Sequence, residues 1–452
     1  MKLCLLILLI LPIANIGRAQ NVLLPAMQLT RAEEDYSALK QTELKGVNRL
    51  KYLSLGHQAY ISFGGEVRYM AEYFENNGWD DDGDSFWLLQ RYLLHADIHL
   101  GSFRLFVQPH SCWQILTVQE PRAVDEDRLD FHQLFAEYTI MPTPELNIRI
   151  RAGRQEFKLG SQRLISLREG PNVRLSFDAI NLMAEHTRLR TDLILARRVV
   201  NQPGIWDNTS TNDESFWGMY QVFNSGWKNL MVDVYYLGYL NRNKQYEEGR
   251  GRELRHSLGI RLWKEGPISI NTEAVYQWGT FQQGPIEAYT LSVDASAKTE
   301  LPTQPILGLR TELISGDRTT EDGRLQTFNA LYPRGAYFGL ISLIGPSNLM
   351  DVHPLVTWNL RNSLSITFDW DFFWRYSRQD GVYGPNIALE RSGISSSTKY
   401  LGHQPGFELA LDQGRFWSFS LEGSWFKPSQ FFEDTGSRKD VLHFAITSRY
   451  KF

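Results

Sequence analysis

The stretch richest in side chains capable of chemistry is GRQEFKLGSQRLISLREGPNVRLSFD, residues 153–178, where Arg154, Arg163, Arg168 and Arg174 are interleaved with Glu156, Glu169 and Asp178. A guanidinium is a planar fork of donors that grips a carboxylate through two bonds and releases it without covalent change. The chemistry on offer is therefore transient capture of anions. Gly160 and the Gly170-Pro171 pair would turn this segment sharply, so that it either bends into an enclosed space or caps a rim. His95, Asp97 and His99 fall on one face of a strand; that spacing suits a metal triplet or hydrogen-bonded filler. The acidic run Asp80, Asp81, Asp82 and Asp84 around Gly83 lacks the far-end Glu of a calcium loop and reads as solvated. Neither G-x-S-x-G nor H-E-x-x-H occurs, so no enzymatic centre and no cofactor are expected.

The elements that must position these groups are strands. Residues 441–452, VLHFAITSRYKF, put Leu442, Phe444, Ile446, Tyr450 and Phe452 on one face and His443, Thr447, Arg449 and Lys451 on the other. Such a ribbon separates two media, lipid and water. Ser365 to Tyr376 repeats the pattern, with Ile366, Phe368, Trp370, Phe372 and Trp374 opposed to Thr367, Asp369, Asp371 and Arg375. About 18 such strands can be read, connected alternately by short links (101–102, 141–144, 264–267, 361–362, 412–414) and long ones (74–85, 119–130, 158–171, 200–215, 239–253, 315–349, 377–402, 427–440). The pattern predicts an all-β, antiparallel transmembrane barrel with short periplasmic turns and long extracellular loops, closed first strand on last.

Composition agrees with this reading. Aromatic residues make up 13% of the chain, enough for two interfacial girdles, and the mean hydropathy of -0.33 does not oppose membrane strands, whose individual signal is weak. A net charge of -4 argues against nucleic acid as a partner. Residues 1–19 have the basic start, apolar core and small-residue cleavage site of a secretory signal. Residues 20–55 read as a polar periplasmic lead-in with helical character over 31–44, and residues 56–452 as the barrel. With Cys4 in the signal, Cys112 is left as a packed strand residue. The parity opposite the apolar face lines the lumen, and includes Glu66, Arg68, Arg91, Arg104, Glu137, Arg151, Arg190, Asp192, Glu273, Arg310, Glu312, Asp371 and Arg375. An arginine-rich lumen raises local anion concentration, but cross-strand Arg–Glu pairing is also how a wide barrel fills its interior. At Gly153 and Arg154 the parity falters, predicting a bulge or the membrane boundary.

Residues 153–178 resemble the signature of the alginate-export family of outer-membrane channels. SGDRTTEDGRLQTFNALYPRGAYFGL (315–340) is similar to the same family's long-loop motif, followed by GPSNLMDVHP (345–354). LKYLSLGHQAYISFGGEVRYMAEYFEN (50–76) and LLQRYLLHADIHL (88–100) are similar to its first strands. The resemblance implies a monomeric 18-stranded barrel in the Gram-negative outer membrane, with an electropositive constriction for a polyuronate. It carries site roles to Arg154, Arg163, Arg168, Glu169, Asn172, Arg174 and Asp178, and to Arg68, Arg91 and Arg310. Expected partners are an anionic oligo- or polysaccharide, outer-membrane lipid and lipopolysaccharide, and periplasmic export or uptake components. A porin for other solutes and a barrel enzyme stay open as alternatives, as does the direction of transport.

Overall fold

Eighteen strands, each alternating apolar and polar positions, wrap into a closed antiparallel barrel in the computed structural model. The structure describes residues 24–452 except 57, 82, 116–121 and 123. The predicted signal segment and Asp82 of the acidic run lie outside the described residues. A short strand β1 (Leu53–Gly56) pairs only with the start of β2. The wall runs through β2 (Ala59–Glu75), β3 (Ser85–Leu100), β4 (Phe103–Ile115), β5 (Asp127–Thr143), β6 (Leu146–Gln155), β7 (Phe177–His186), β8 (Leu189–Val200) and β9 (Thr209–Asn224). It continues through β10 (Met231–Tyr246), β11 (Gly249–Lys264), β12 (Ile268–Phe281), β13 (Gly284–Lys298), β14 (Ile306–Ile314), β15 (Leu349–Arg361) and β16 (Leu364–Arg375). A hairpin of β17 (Val382–Tyr383) and β18 (Leu389–Arg391) decorates one outer loop, after which β19 (Tyr400–Gln413), β20 (Trp417–Pro428) and β21 (Val441–Lys451) complete the wall. Helix α1 (Gln430–Thr435) sits in the last outer loop, capped by the Ser429 side chain.

Closure is made by β2 against β21, with Glu66 opposite Lys451 and Glu75 opposite Leu442. Lipid supplies no hydrogen-bond partner, so an open edge would leave a row of unsatisfied backbone groups, each costing several kcal/mol. Period-two alternation then decides orientation. Leu258, Ile260, Ile270, Tyr276, Leu291, Phe368 and Ile446 are exposed on the outside, while Glu66, Arg91, Glu137 and Asp371 are buried inside.

Three readings of the sequence change. The predicted loop 239–253 is a hairpin, because β10 runs to Tyr246 and β11 starts at Gly249. Tyr239, Asn241, Glu253 and Arg255 continue the inward set there, a polar extension of the wall that composition alone reads as loop. The strand expected directly after the 158–171 link starts only at Phe177, which places Arg174 in a connection rather than in the wall. Among its described residues the lead-in forms three 3-10 turns (Arg31–Glu33, Ser37–Gln41, Gly46–Lys51) and no α-helix. Its pieces are tied individually to the barrel, as where Arg31 donates to the carbonyl of Phe452 at 2.8 Å and Arg104 donates to that of Ala32 at 2.8 Å.

The wall's lipid face makes a depth-dependent prediction. Leu258→Arg, at mid-strand on β11, should cost about 2–4 kcal/mol of folding free energy in lipid vesicles, and Ile268→Arg, at a strand end, roughly 0–1 kcal/mol. Urea titration in vesicles measures both; equal costs would contradict the assigned membrane depth.

Candidate functional site

The inward parity is not polar throughout. Along β2 the inward residues run Glu66, Arg68, Met70, Glu72 and Phe74, turning apolar toward the extracellular end. Trp87, Leu89, Phe216, Tyr235, Leu237 and Phe373 from other strands join them in one buried cluster. Two loops fill the space these residues enclose. Residues 156–176 contribute Phe157, Leu164, Ile165 and Leu175, and residues 315–348 contribute Phe328, Leu331, Tyr332, Tyr337 and Phe338. The loops pair with each other inside the barrel: Ser166 N–H donates to the Tyr332 carbonyl at 3.0 Å, and Tyr332 N–H to that of Leu164 at 2.8 Å. Gly160, at φ +51°, makes the first sharp turn, and a Cβ there would meet the Tyr220 hydroxyl at 2.1 Å. The two segments fall largely within two of the stretches that carry the family resemblance, 153–178 and 315–340.

The first loop is clamped to the closing seam. Across β21, β2 and β3, Arg449 stands opposite Arg68, and Arg68 opposite Arg91. Like charges directly opposite repel, so the row needs compensation from elsewhere. Arg68 donates to the carbonyls of Glu169 (2.9 Å), Gly170 (3.1 Å) and Pro171 (3.0 Å), and to the Asn172 side-chain oxygen (3.2 Å). The Glu169 carboxylate takes Arg91 at 2.7 Å, Arg449 at 2.8 Å and the Nε of Arg174 at 2.5 Å. Burial pushes that carboxyl up, but Arg174, Arg91, Arg449 and Arg68 outweigh it and hold Glu169 well below the usual carboxylate range. Glu66 binds Arg91 at 2.6 Å, and Glu156 binds Arg174 at 3.3 Å. Asn172 is fully buried and donates to the carbonyls of Gln90, Trp113 and Asp125, which fixes the turn's far end.

The other predicted residues are dispersed. Arg163 crosses to the opposite wall, reaching Glu312 at 3.0 Å and Asp294 at 3.1 Å. Arg168, at φ +55°, donates to the Pro333 carbonyl and so ties the two loops. Arg190 and Asp192 pair at 2.9 Å near the periplasmic turns. Arg310 faces inward from β14, half-buried, with no ion pair among the described residues. Arg154 and Asp178 do not join the lumen. They pair at 2.9 Å on the parity of the outward Ile150 and Ile180, at the ends of β6 and β7, so the predicted membrane boundary falls there. Asp97 is held by Arg104 at 2.7 Å and by His99 at 3.0 Å, while His95 stacks on Phe106, an arrangement of filler. Arg449 and Lys451 belong to the clamp but were not among the predicted site residues. The signal was present, since both oppose Phe444 and Ile446 in parity on the strand that must close on β2.

Two cavities lie on the periplasmic side of the plug. One, about 890 Å3, is bounded by Glu33 and Asp35 of the lead-in, Arg104, Arg149 and Arg190 of the wall, and Lys158. The other, about 520 Å3, is lined by Arg68, Glu169, Arg334, Glu408, Arg449 and Lys451.

Two predictions follow from this packing. Glu169→Gln leaves several guanidinium groups short of their shared anion and should cost roughly 3 kcal/mol or more. It should also raise single-channel conductance and speed tryptic cleavage after Arg163 and Arg168; wild-type values for all three would refute the clamp. The second concerns Asp317, whose buried carboxyl accepts the Thr319 N–H and whose own N–H donates to Asp380 at 2.8 Å. Burial, opposed by the Thr319 amide and aided by repulsion from Asp380, Glu248 and Asp322, pushes Asp317 up to about 7. A carboxyl raised in the docked state stabilises docking fully below its ordinary pKa near ~4, and this stabilisation is lost as pH rises through the raised value. Conductance should therefore grow between pH 5 and 8, and Asp317→Asn should flatten that rise.

Comparison with known proteins agrees with this architecture. Among solved structures, the chain is similar to OccK2 (OpdF) of Pseudomonas aeruginosa, at TM-score 0.57 and 14% identity, covering 87% of this chain and 97% of that one. OccK2 in complex with glucuronate matches at TM-score 0.56 and 14% identity over 87% and 98%. Acinetobacter baumannii OccAB2 matches at TM-score 0.56 and 10% identity over 86% and 98%. No curated protein sequence matches the chain. The family model described as alginate export matches residues 59–445, from the first wall strand into the last. The chain belongs to the alginate-export family and is an outer-membrane β-barrel channel protein.

Proposed function

We propose that the protein conducts anionic solutes across the outer membrane, with an alginate-like polysaccharide or its oligomers as cargo. The observation that carries this reading is the charge imbalance at the clamp, where the five cations Arg68, Arg91, Arg174, Arg449 and Lys451 meet the three carboxylates Glu66, Glu156 and Glu169. A uronate carboxylate entering the cavity beside Glu169 would meet guanidinium groups already oriented, at little cost in reorganisation. Family membership supports an anionic polymer, and the glucuronate complex of OccK2 supports a monomeric uronate. Arg310, inward on β14 and in no ion pair among the described residues, adds a further guanidinium that a passing anion can engage. Residues 1–19 would direct export of the chain, and the barrel would act as a monomer without cofactor or covalent chemistry.

The balance of acids and bases around the two cavities favours a second reading, a porin of broader anion selectivity. Arg334, Arg449 and Lys451 share one cavity with Glu169, Glu408 and Glu422, which would weaken discrimination among anions.

Planar-bilayer recording separates the readings. An alginate-type pathway should prefer anions and be blocked by oligouronate, and Arg310→Ala should weaken that block about tenfold, the loss of one charge-assisted hydrogen bond of roughly 1.5 kcal/mol. Anion preference without uronate block would identify the broader porin. Absence of ion selectivity would overturn both.

A further inference from the structure

The outer rim carries a cationic patch that the channel reading does not use. Arg318, Arg378 and Lys399 are all exposed and line one cavity of about 470 Å3 with Met350, Tyr376 and Gln379. Arg318 donates to the hydroxyls of Tyr376 at 2.6 Å and Tyr289 at 3.2 Å, and Lys399 donates to the Tyr376 carbonyl at 2.9 Å. None of the three cations is paired with a carboxylate among the described residues. Two other exposed cations of the outer loops each have a carboxylate partner, Arg438 with Glu433 and Lys439 with Asp81, both at 2.7 Å.

Parity sets the direction in which the patch faces. Met350 lies between buried Leu349 and Asp351 and is opposite Trp374, which alternates with the exposed, lipid-facing Trp370. Tyr289 stands two residues from the lipid-facing Leu291. Trp374 packs on Tyr400, so an aromatic belt lies directly below the cations. Amphipathic rings mark the headgroup level of a bilayer. The patch therefore faces the outer leaflet rather than the lumen.

We propose that this patch binds the phosphorylated glycolipid of the outer leaflet, the lipid A portion of lipopolysaccharide. Two guanidinium groups and an ammonium present donors to a phosphate, while Met350 and Trp374 offer an apolar face to the acyl chains beneath it. A phosphate ion would satisfy the cations alone; the lipid satisfies the cations and the aromatic belt together.

The test is native mass spectrometry of the intact barrel in detergent with bis-phosphorylated lipid A, its dephosphorylated form and inorganic phosphate. Bis-phosphorylated lipid A should stay bound, and its affinity should fall roughly tenfold or more in the double variant R318Q/K399Q. Lys439→Gln, on the same rim but outside the patch, should bind as wild type. The double variant should keep the wild-type β-sheet circular dichroism and heat-modifiable migration in SDS, which shows that the barrel is folded. Equal binding by wild type and the double variant, or equal binding of dephosphorylated lipid A, overturns the proposal. Displacement of the lipid by equimolar inorganic phosphate also overturns it, in favour of a free-anion site.

Discussion

Three arginines in register across the closing seam, Arg449, Arg68 and Arg91, impose the constraint on which the interior depends. Nothing in a β-ladder favours such a row, and the low-dielectric interior strengthens the repulsion. The structure resolves it by bringing an anion to the seam. Glu169 and a run of loop carbonyls neutralise and satisfy the guanidinium groups, and in doing so they hold residues 156–176 across the lumen. The loop is thus a structural counterion, and the lumen's shape follows from the charges in its wall.

From that anchorage the interior divides into two environments. Toward the extracellular side, Phe157, Ile165, Tyr332 and Phe338 from the two loops bury against Trp87, Phe216 and Phe373 of the wall, as in a soluble core. Toward the periplasm, charged side chains line two open cavities. An anion rising from the periplasm would reach the guanidinium groups before it reached the apolar seal. Any passage must therefore shift the 315–348 segment, in which burial raises the Asp317 carboxyl.

The wall was legible in the sequence because lipid imposes a period of two on nearly every strand. Ile446 against Arg449 and Phe368 against Asp369 suffice to orient their strands. The hairpin at 247–248 was not legible, since β10 and β11 extend beyond the bilayer, where the outer face is free to be polar. The apolar plug was hidden for a related reason: Met70, Phe74 and Phe373 occupy inward positions, and no local pattern distinguishes a strand that is apolar on both faces from a noisy one. Arg154 and Asp178 carried the motif yet lie on the outward parity, because a motif marks a segment and not the face each side chain takes. Arg449 was the opposite case, outside the motif but brought to Glu169 by barrel closure.

The parallel bridge between Ile165 and Tyr332 has a consequence for how the chain assembles. The two segments are far apart in sequence and meet in a space that the wall encloses only once β21 has reached β2. The anion that neutralises the final seam lies on one of those segments. A chain whose interior had not assembled would bring Arg449, Arg68 and Arg91 together with Glu66 as their wall carboxylate but without Glu169, and its last strand would be repelled at the moment of zipping. Completion of the cylinder is thereby coupled to completion of its contents, so that an empty barrel is disfavoured at the same step that would seal it.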